Sequence, residues 1–273
     1  MSTKENSSTL PQEVWQGICD DLLEHNLHLT LFRMPDDELL DPNRMPKILR
    51  EWMADGMIVD YTHDVPQGLY DVIESSALPA VYVNTDREFD CVKPDDFDAG
   101  YRATKLLVDM GHCQVLYADF HNIMVEGKTH YSAWERLAGY KRAMIDSHLD
   151  PSVIDGGGEG PRKAIAETLN GGAPPTAVVC YGDLDAEYFV LAAAYAGLLI
   201  PRDLSIVTFG AKSCRFGGSE YSHFTIPEYE MGRRACAILR SKIASGMEQH
   251  TVESLPFGFV TGETVAVVQK KVK

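Results

Sequence analysis

The chain lacks most of the signatures that announce a particular chemistry. No G-x-G-x-x-G and no G-x-x-x-x-G-K-[ST] occurs in its 273 residues, so neither a dinucleotide nor a P-loop phosphate cradle is indicated. "DGGGEGPRK" (155–163) is glycine-rich, but its Lys precedes Ala and no strong strand leads into it, so it reads as a loop. Ser219, in "GGSEY", lacks the G-x-S-x-G elbow of a hydrolase nucleophile. His25 and His28 stand three apart without a third ligand, and no metal site is expected. With no nucleophile–base pair and no cofactor signature, the expectation is a protein that is not an enzyme and takes no cofactor. The six cysteines (Cys19, Cys91, Cys113, Cys180, Cys214 and Cys236) contain no C-x-x-C pair and read as buried, reduced thiols of a cytoplasmic protein. No apolar run reaches the roughly 18 residues of a membrane-spanning helix. The start, "MSTKENSSTLPQEVW", has no apolar core of a signal peptide. Positive charge is also scarce: 25 Lys and Arg against 40 Asp and Glu leave a net charge of −15. Such a surface repels nucleic-acid phosphate, so the chain is not expected to bind DNA by itself.

What is present is a regular alternation. "PQEVWQGICDDLLEHN" sets Val14, Trp15, Ile18, Leu22 and Leu23 on one helical stripe. Strand "LHLTLFR", helix "RMPKILREWMAD", strand "GMIVDY", helix "PQGLYDVIESSA" and strand "PAVYVN" follow. "DDFDAGYRATKLLVDMGH" predicts a long helix, started by Asp95 or Asp96 as cap and closed by Gly111. The pattern then repeats through strands "CQVLYAD", "SVID", "TAVVCY" and "LSIVTFG" and the helices between them. The tail, helix "EYEMGRRACAILRSKIA" and strand-like "TVESLPF" and "FVTGETVAVV", breaks the repeat. The implied fold class is α/β, with two doubly wound lobes built on parallel sheets.

In open parallel sheets, ligands bind outside the carboxyl ends of the strands. Asp183 follows "TAVVCY", Asn84 ends "PAVYVN", Asp119 ends "QVLYAD" and Gly210 ends "SIVTFG". Asp183 and Asp185 lie about 200° apart around a helix and make a poor acid–base dyad. Asp183 has an ordinary reading as a helix cap, which is compatible with accepting ligand hydroxyls. Arg136 sits early in a helix, where a cation opposes the helix dipole. It is either a surface side chain or half of a guanidinium–carboxylate pair with Asp183, suited to the vicinal hydroxyls of a sugar. Phe120, Tyr131 and Trp134 are near enough in sequence to offer an aromatic face to a pyranose, with core packing as the alternative for each.

Four stretches carry a resemblance. "LLVDMGHCQVLYAD", "RLAGYKRAM", "PPTAVVCYGDLDAEYFVLAAAYAGLLIPRDLSIVTFG" and "FTIPEYEMGRRACAIL" resemble, in order and spacing, the effector-binding domain of LacI/GalR-type transcription regulators. The resemblance covers nearly the whole chain. It implies a type I periplasmic-binding-protein-like fold, with an N-terminal lobe of residues 1–112 plus 226–247 and a C-terminal lobe of 113–225 plus 248–273. The chain would cross near 112–114, 223–226 and 247–251. Arg136 falls on the family's ligand-binding arginine and Asp183 on its ligand-binding aspartate. Asn84 stands where the family usually has Asp, and Phe209 matches an aromatic position. Gly210 and Ala211 replace a usual acidic pair, and Gly262 stands where Arg is common. These departures leave hexose phosphates and purines open beside the expected sugar. The implied partners are a small-molecule effector, a second copy of the chain in a homodimer (with 66–76 as a candidate contact) and operator DNA. The DNA would be reached only through an N-terminal helix-turn-helix absent from this sequence, whose start resembles the loop after a first strand. No membrane partner is implied. The alternative on the same fold is a sugar-binding protein of a transport system.

Overall fold

The computed structural model describes residues 10–31, 54–60, 67–76, 78–120, 130–155, 160–210, 213–246 and 252–268. The chain divides into two compact units, Met1–Pro94 with Pro227–Leu255, and Asp95–Ile226 with Pro256–Lys273, so it passes between them three times.

The first unit carries a four-stranded parallel sheet in the order β1-β2-β3-β11: β1 (Met57–Asp60), β2 (Ala80–Val83), β3 (Cys91–Pro94) and β11 (Glu253–Leu255). Helix α1 (Gln12–Glu24) packs on α7 (Glu228–Ser245), and α7 packs on β1, β2 and β3. Helix α2 (Gln67–Ser75) puts Leu69 and Ile73 against Ala80, Tyr82 and Cys91. Only part of the expected α1 stripe is buried. Val14 and Ile18 are, whereas Leu23 is 78% exposed.

The second unit carries a six-stranded sheet in the order β12-β10-β7-β6-β4-β5. These are β4 (Val115–Ala118), β5 (Ser152–Ile154), β6 (Ala177–Cys180), β7 (Ser205–Gly210), β10 (Ser222–Thr225) and β12 (Gly258–Val260), all parallel to their neighbours except β12. Strand alternation explains why both faces are apolar. Val115, Tyr117 and Val179 point one way, onto Ala99, Ala103 and Leu107 of α3 (Asp96–Asp109) and Leu137, Tyr140 and Met144 of α4 (Tyr131–Asp146). Leu116, Ala118 and Val178 point the other way, onto α5 (Pro161–Leu169) and α6 (Asp183–Tyr195). Parallel strands covered on both faces are the doubly wound arrangement the alternation implied.

The caps of α3 are those its sequence suggests. Asp95 Oδ1 accepts from the Asp98 N–H at 3.0 Å, and Gly111 turns the chain at φ 92°. Several expectations need correction. The first passage between units falls at Pro94 rather than near 112, because Ala99, Ala103 and Leu107 bind α3 to the second unit's sheet. The second falls at Ile226–Pro227, beside the expected 223–226. Residues 27–31, expected as strand, form no strand and are exposed, and apolar alternation without a ladder partner among the described residues makes none. Helix "RMPKILREWMAD" up to Met53 lies outside the described residues, and the third passage falls at Leu255–Pro256, beyond the expected 247–251. Strands β3 and β10 and the hairpin of β8 (Arg215–Phe216) with β9 (Ser219–Glu220) were not anticipated.

Glycine decides how closely α3 and α4 approach. A Cβ on Gly100 would lie 2.2 Å from the Arg136 carbonyl oxygen, and one on Gly139 would lie 2.1 Å from the Phe97 carbonyl oxygen. Neither backbone oxygen can rotate away. Gly100→Ala and Gly139→Ala should therefore each lose about 1–3 kcal/mol of unfolding free energy in urea titrations. Gly172→Ala, whose Cβ would meet nothing within 4 Å, should lose almost none. Equal stability of all three variants would show that the two helices do not meet.

Candidate functional site

The second unit gathers polar groups at the carboxyl ends of its central strands. Asp119 follows β4, Tyr181 and Asp183 follow β6, and α4 brings His130, Ser132 and Arg136 alongside. Arg136 is 5% exposed. Its Nε donates to Asp96 Oδ1 at 2.7 Å and its Nη1 to the Tyr181 carbonyl at 2.9 Å. The rings of Tyr181, Phe209 and Phe257 surround the guanidinium, with centroids 4.6, 4.8 and 5.4 Å from Cζ. Burial is the largest influence and lowers the guanidinium's pKa, but the Asp96 charge and hydrogen bond, together with Tyr181 and Tyr117, outweigh it and hold the pKa above its ordinary value. Arg136 is therefore a permanent cation, paired inside the unit.

A second set of bonds runs beside it. His130 is the N-cap of α4, its Nδ1 accepting from the Ser132 N–H. Ser132 Oγ lies 2.7 Å from His130 Nδ1 and 2.7 Å from the Tyr181 hydroxyl. All three groups are satisfied when Tyr181 donates to Ser132 and Ser132 donates to His130 Nδ1. Burial pushes the Tyr181 phenol up, with the Arg136 charge opposing it. Tyr117, from β4, keeps a buried hydroxyl with no hydrogen-bond partner among the described residues, and burial raises its pKa as well.

Of the residues singled out in the sequence, Arg136 and Phe209 meet in one cluster, and Asp183 lies two residues beyond Tyr181. Phe209 is 2% exposed and packs on Phe224 and Phe257, so it serves as a wall of the arginine's cage. Phe120 is half-buried against Tyr188 and Phe189. Tyr131 is buried, and Trp134 projects outward from α4, 55% exposed. Asn84 belongs to the first unit, where it ends β2 in a left-handed conformation (φ 55°) that asparagine tolerates. Its N–H donates to the Val92 carbonyl at 2.9 Å.

The capping role read for Asp183 belongs to Asp185. Helix α6 starts at Asp183, so Asp185 stands at the third position, from which a side chain reaches back to the N-cap. Its Oδ2 accepts from the Gly182 N–H at 3.2 Å and its Oδ1 from the Phe120 N–H at 3.1 Å, tying the end of β4 to the start of α6. Asp183 is exposed and, among the described residues, accepts only from the adjacent Leu184 N–H at 2.9 Å. The spacing of a glycine and an aspartate three residues on was the available signal for Asp185. Nothing in the sequence marked Asp96 as the partner of Arg136.

Comparison with known proteins places this architecture. Residues 98–265, well over half the chain, match the family model described as a periplasmic binding protein-like domain. The chain belongs to the periplasmic-binding-protein-like family. A transcription regulator from Lactobacillus plantarum superposes with a TM-score of 0.77 at 20% identity, covering 94% of this chain and 96% of that one. A LacI family regulator from Enterococcus faecium, solved with bound ribose, gives 0.71 at 19% identity and 94% coverage of each. In sequence, the HTH-type transcriptional repressor PurR of Vibrio cholerae is 24% identical over 234 residues, 82% of this chain and 68% of that protein. The chain thus spans about two thirds of that relative's length. It is thus similar in sequence to an HTH-type repressor and in fold to LacI family regulators. Among the described residues, no helix is long and apolar enough to cross a membrane.

Because Arg136 is buried and paired, its loss would not spare the fold. Arg136→Ala would strand the buried Asp96 carboxylate and cost about 3–5 kcal/mol of stability, as for other broken buried pairs. Chemical denaturation should show this loss, and an unchanged midpoint and slope would mean that the pair does not form.

Proposed function

We propose that this chain senses a small effector for a transcription regulator, and that the effector is a sugar or a similar polyhydroxylated molecule. The observation that carries this reading is the mixture of groups that follow β6: the exposed Asp183 carboxylate, and the Tyr181 hydroxyl on a ring that lies against the Arg136 guanidinium. Acceptors and donors so interleaved suit vicinal hydroxyls. Arg136 and Asp183 are the principal site residues, Asn84 is the corresponding strand-end position of the first unit, and Phe120 and Trp134 are the aromatic candidates for a sugar face. Phe209 contributes through its contact with Arg136. The ribose carried by the Enterococcus faecium regulator supports the ligand class.

The chain acts by binding, not catalysis, as a cytoplasmic homodimer with α2 as a candidate contact. It reaches operator DNA through an N-terminal helix-turn-helix outside this sequence, and effector binding biases the equilibrium between states that differ in DNA affinity.

Calorimetry across a panel of neutral sugars, with a hexose phosphate and a purine base as comparators, should find a neutral sugar that binds best. Asp183→Asn should weaken that binding by about 1–2 kcal/mol, the worth of one hydrogen bond to a charged group. A panel in which no sugar binds, or in which Asp183→Asn binds as the unaltered chain does, would refute the assignment. Light scattering at tens of micromolar should return twice the 30.3 kDa chain mass. A monomer at that concentration would contradict the dimer.

A further inference from the structure

We infer that Tyr181 is a specificity-determining residue of this site, reading one ligand hydroxyl through a phenol oxygen held in a fixed position. The inference rests on the sugar-binding reading above. Every part of Tyr181 is constrained. Its N–H donates to the Ala118 carbonyl at 2.8 Å and its carbonyl accepts from Arg136 at 2.9 Å. Its ring lies against the Arg136 guanidinium, and its hydroxyl is 2.7 Å from Ser132 Oγ. Ser132 is itself 2% exposed and held by His130, so it cannot swing away to follow the phenol.

Two consequences follow for a ligand. With Ser132 donating to His130 Nδ1, the phenol proton goes to Ser132 Oγ, the phenol oxygen is left with acceptor capacity, and what it seeks is a hydroxyl or amine donor. Because the side chain is locked, little rotamer entropy is lost on contact, and a donor elsewhere cannot be accommodated by rotation. Tyr181 is half-buried at the carboxyl end of β6, the edge of the sheet on which Asp183 also stands. Arg136 enters as a positioning residue: its bonds to Asp96 and to the Tyr181 carbonyl set where the phenol begins.

The experiment compares the unaltered chain, Tyr181→Phe and Ser132→Ala by calorimetry, using the best-binding sugar and its single-position deoxy and O-methyl analogues. The unaltered chain should prefer the parent sugar over the analogue modified at one position by about tenfold, the effect of leaving one acceptor unmatched. Tyr181→Phe should bind the parent about tenfold more weakly and that analogue unchanged, abolishing the discrimination. Ser132→Ala, which frees the phenol to rotate, should reduce the same discrimination while keeping the tyrosine. A merely structural role would weaken parent and analogues alike. If the parent-to-analogue ratios of Tyr181→Phe match those of the unaltered chain at every position, the inference is overturned while sugar binding stands. If the unaltered chain binds no sugar, the functional reading fails and this inference fails with it.

Discussion

The Arg136–Asp96 ion pair is the interaction on which the second unit's candidate site depends. Removing a guanidinium and a carboxylate from water costs several kcal/mol per ion, repaid only by close pairing and further hydrogen bonds. Both conditions hold here: a 2.7 Å contact to Asp96, a 2.9 Å bond to the Tyr181 carbonyl and three aromatic rings around the cation. The pair joins the start of α3 to α4, and through the carbonyl it reaches the end of β6. Three elements from distant parts of the chain thus converge on one side chain.

That convergence requires helices packed nearly backbone to backbone. Gly100 and Gly139 allow α3 and α4 to meet so closely that the carbonyl oxygen of Arg136 occupies the place of a Gly100 side chain. The first unit uses the same device for α1 and α7, where Gly17 faces the Tyr229 carbonyl and Gly232 the Val14 carbonyl. Close packing of this kind resists small displacements, because backbone atoms have no alternative rotamers. The backbone of Arg136 is therefore positioned by helix packing as well as by its ion pair.

Legibility followed burial and length. The apolar cores of β4 and β6 announce themselves because each is buried on both faces and reads as an unbroken hydrophobic run, and β7 does so through Ile206, Val207 and Phe209. The caps of α3 were visible because Asp95 and Gly111 act on their own neighbours. Strand β3 was obscured by Lys93 and Pro94, and β10 by Ser222 and His223, since these short segments owe their state to the strands beside them. Leu27, Leu29 and Leu31 present the converse, a strand pattern without a strand.

Sequence by itself determined the α/β alternation, the family likeness and the presence of Arg136 and Asp183 near strand ends, because periodicity and capping are local properties. Only the tertiary structure decided that Arg136 pairs with Asp96, 40 residues earlier, that Asp185 rather than Asp183 closes the helix turn, and that Phe209 walls a buried cation. Each of those outcomes depends on which distant groups share a desolvated space. A charge there must find whatever partner the packing brings within reach, and no spacing along the chain specifies that partner.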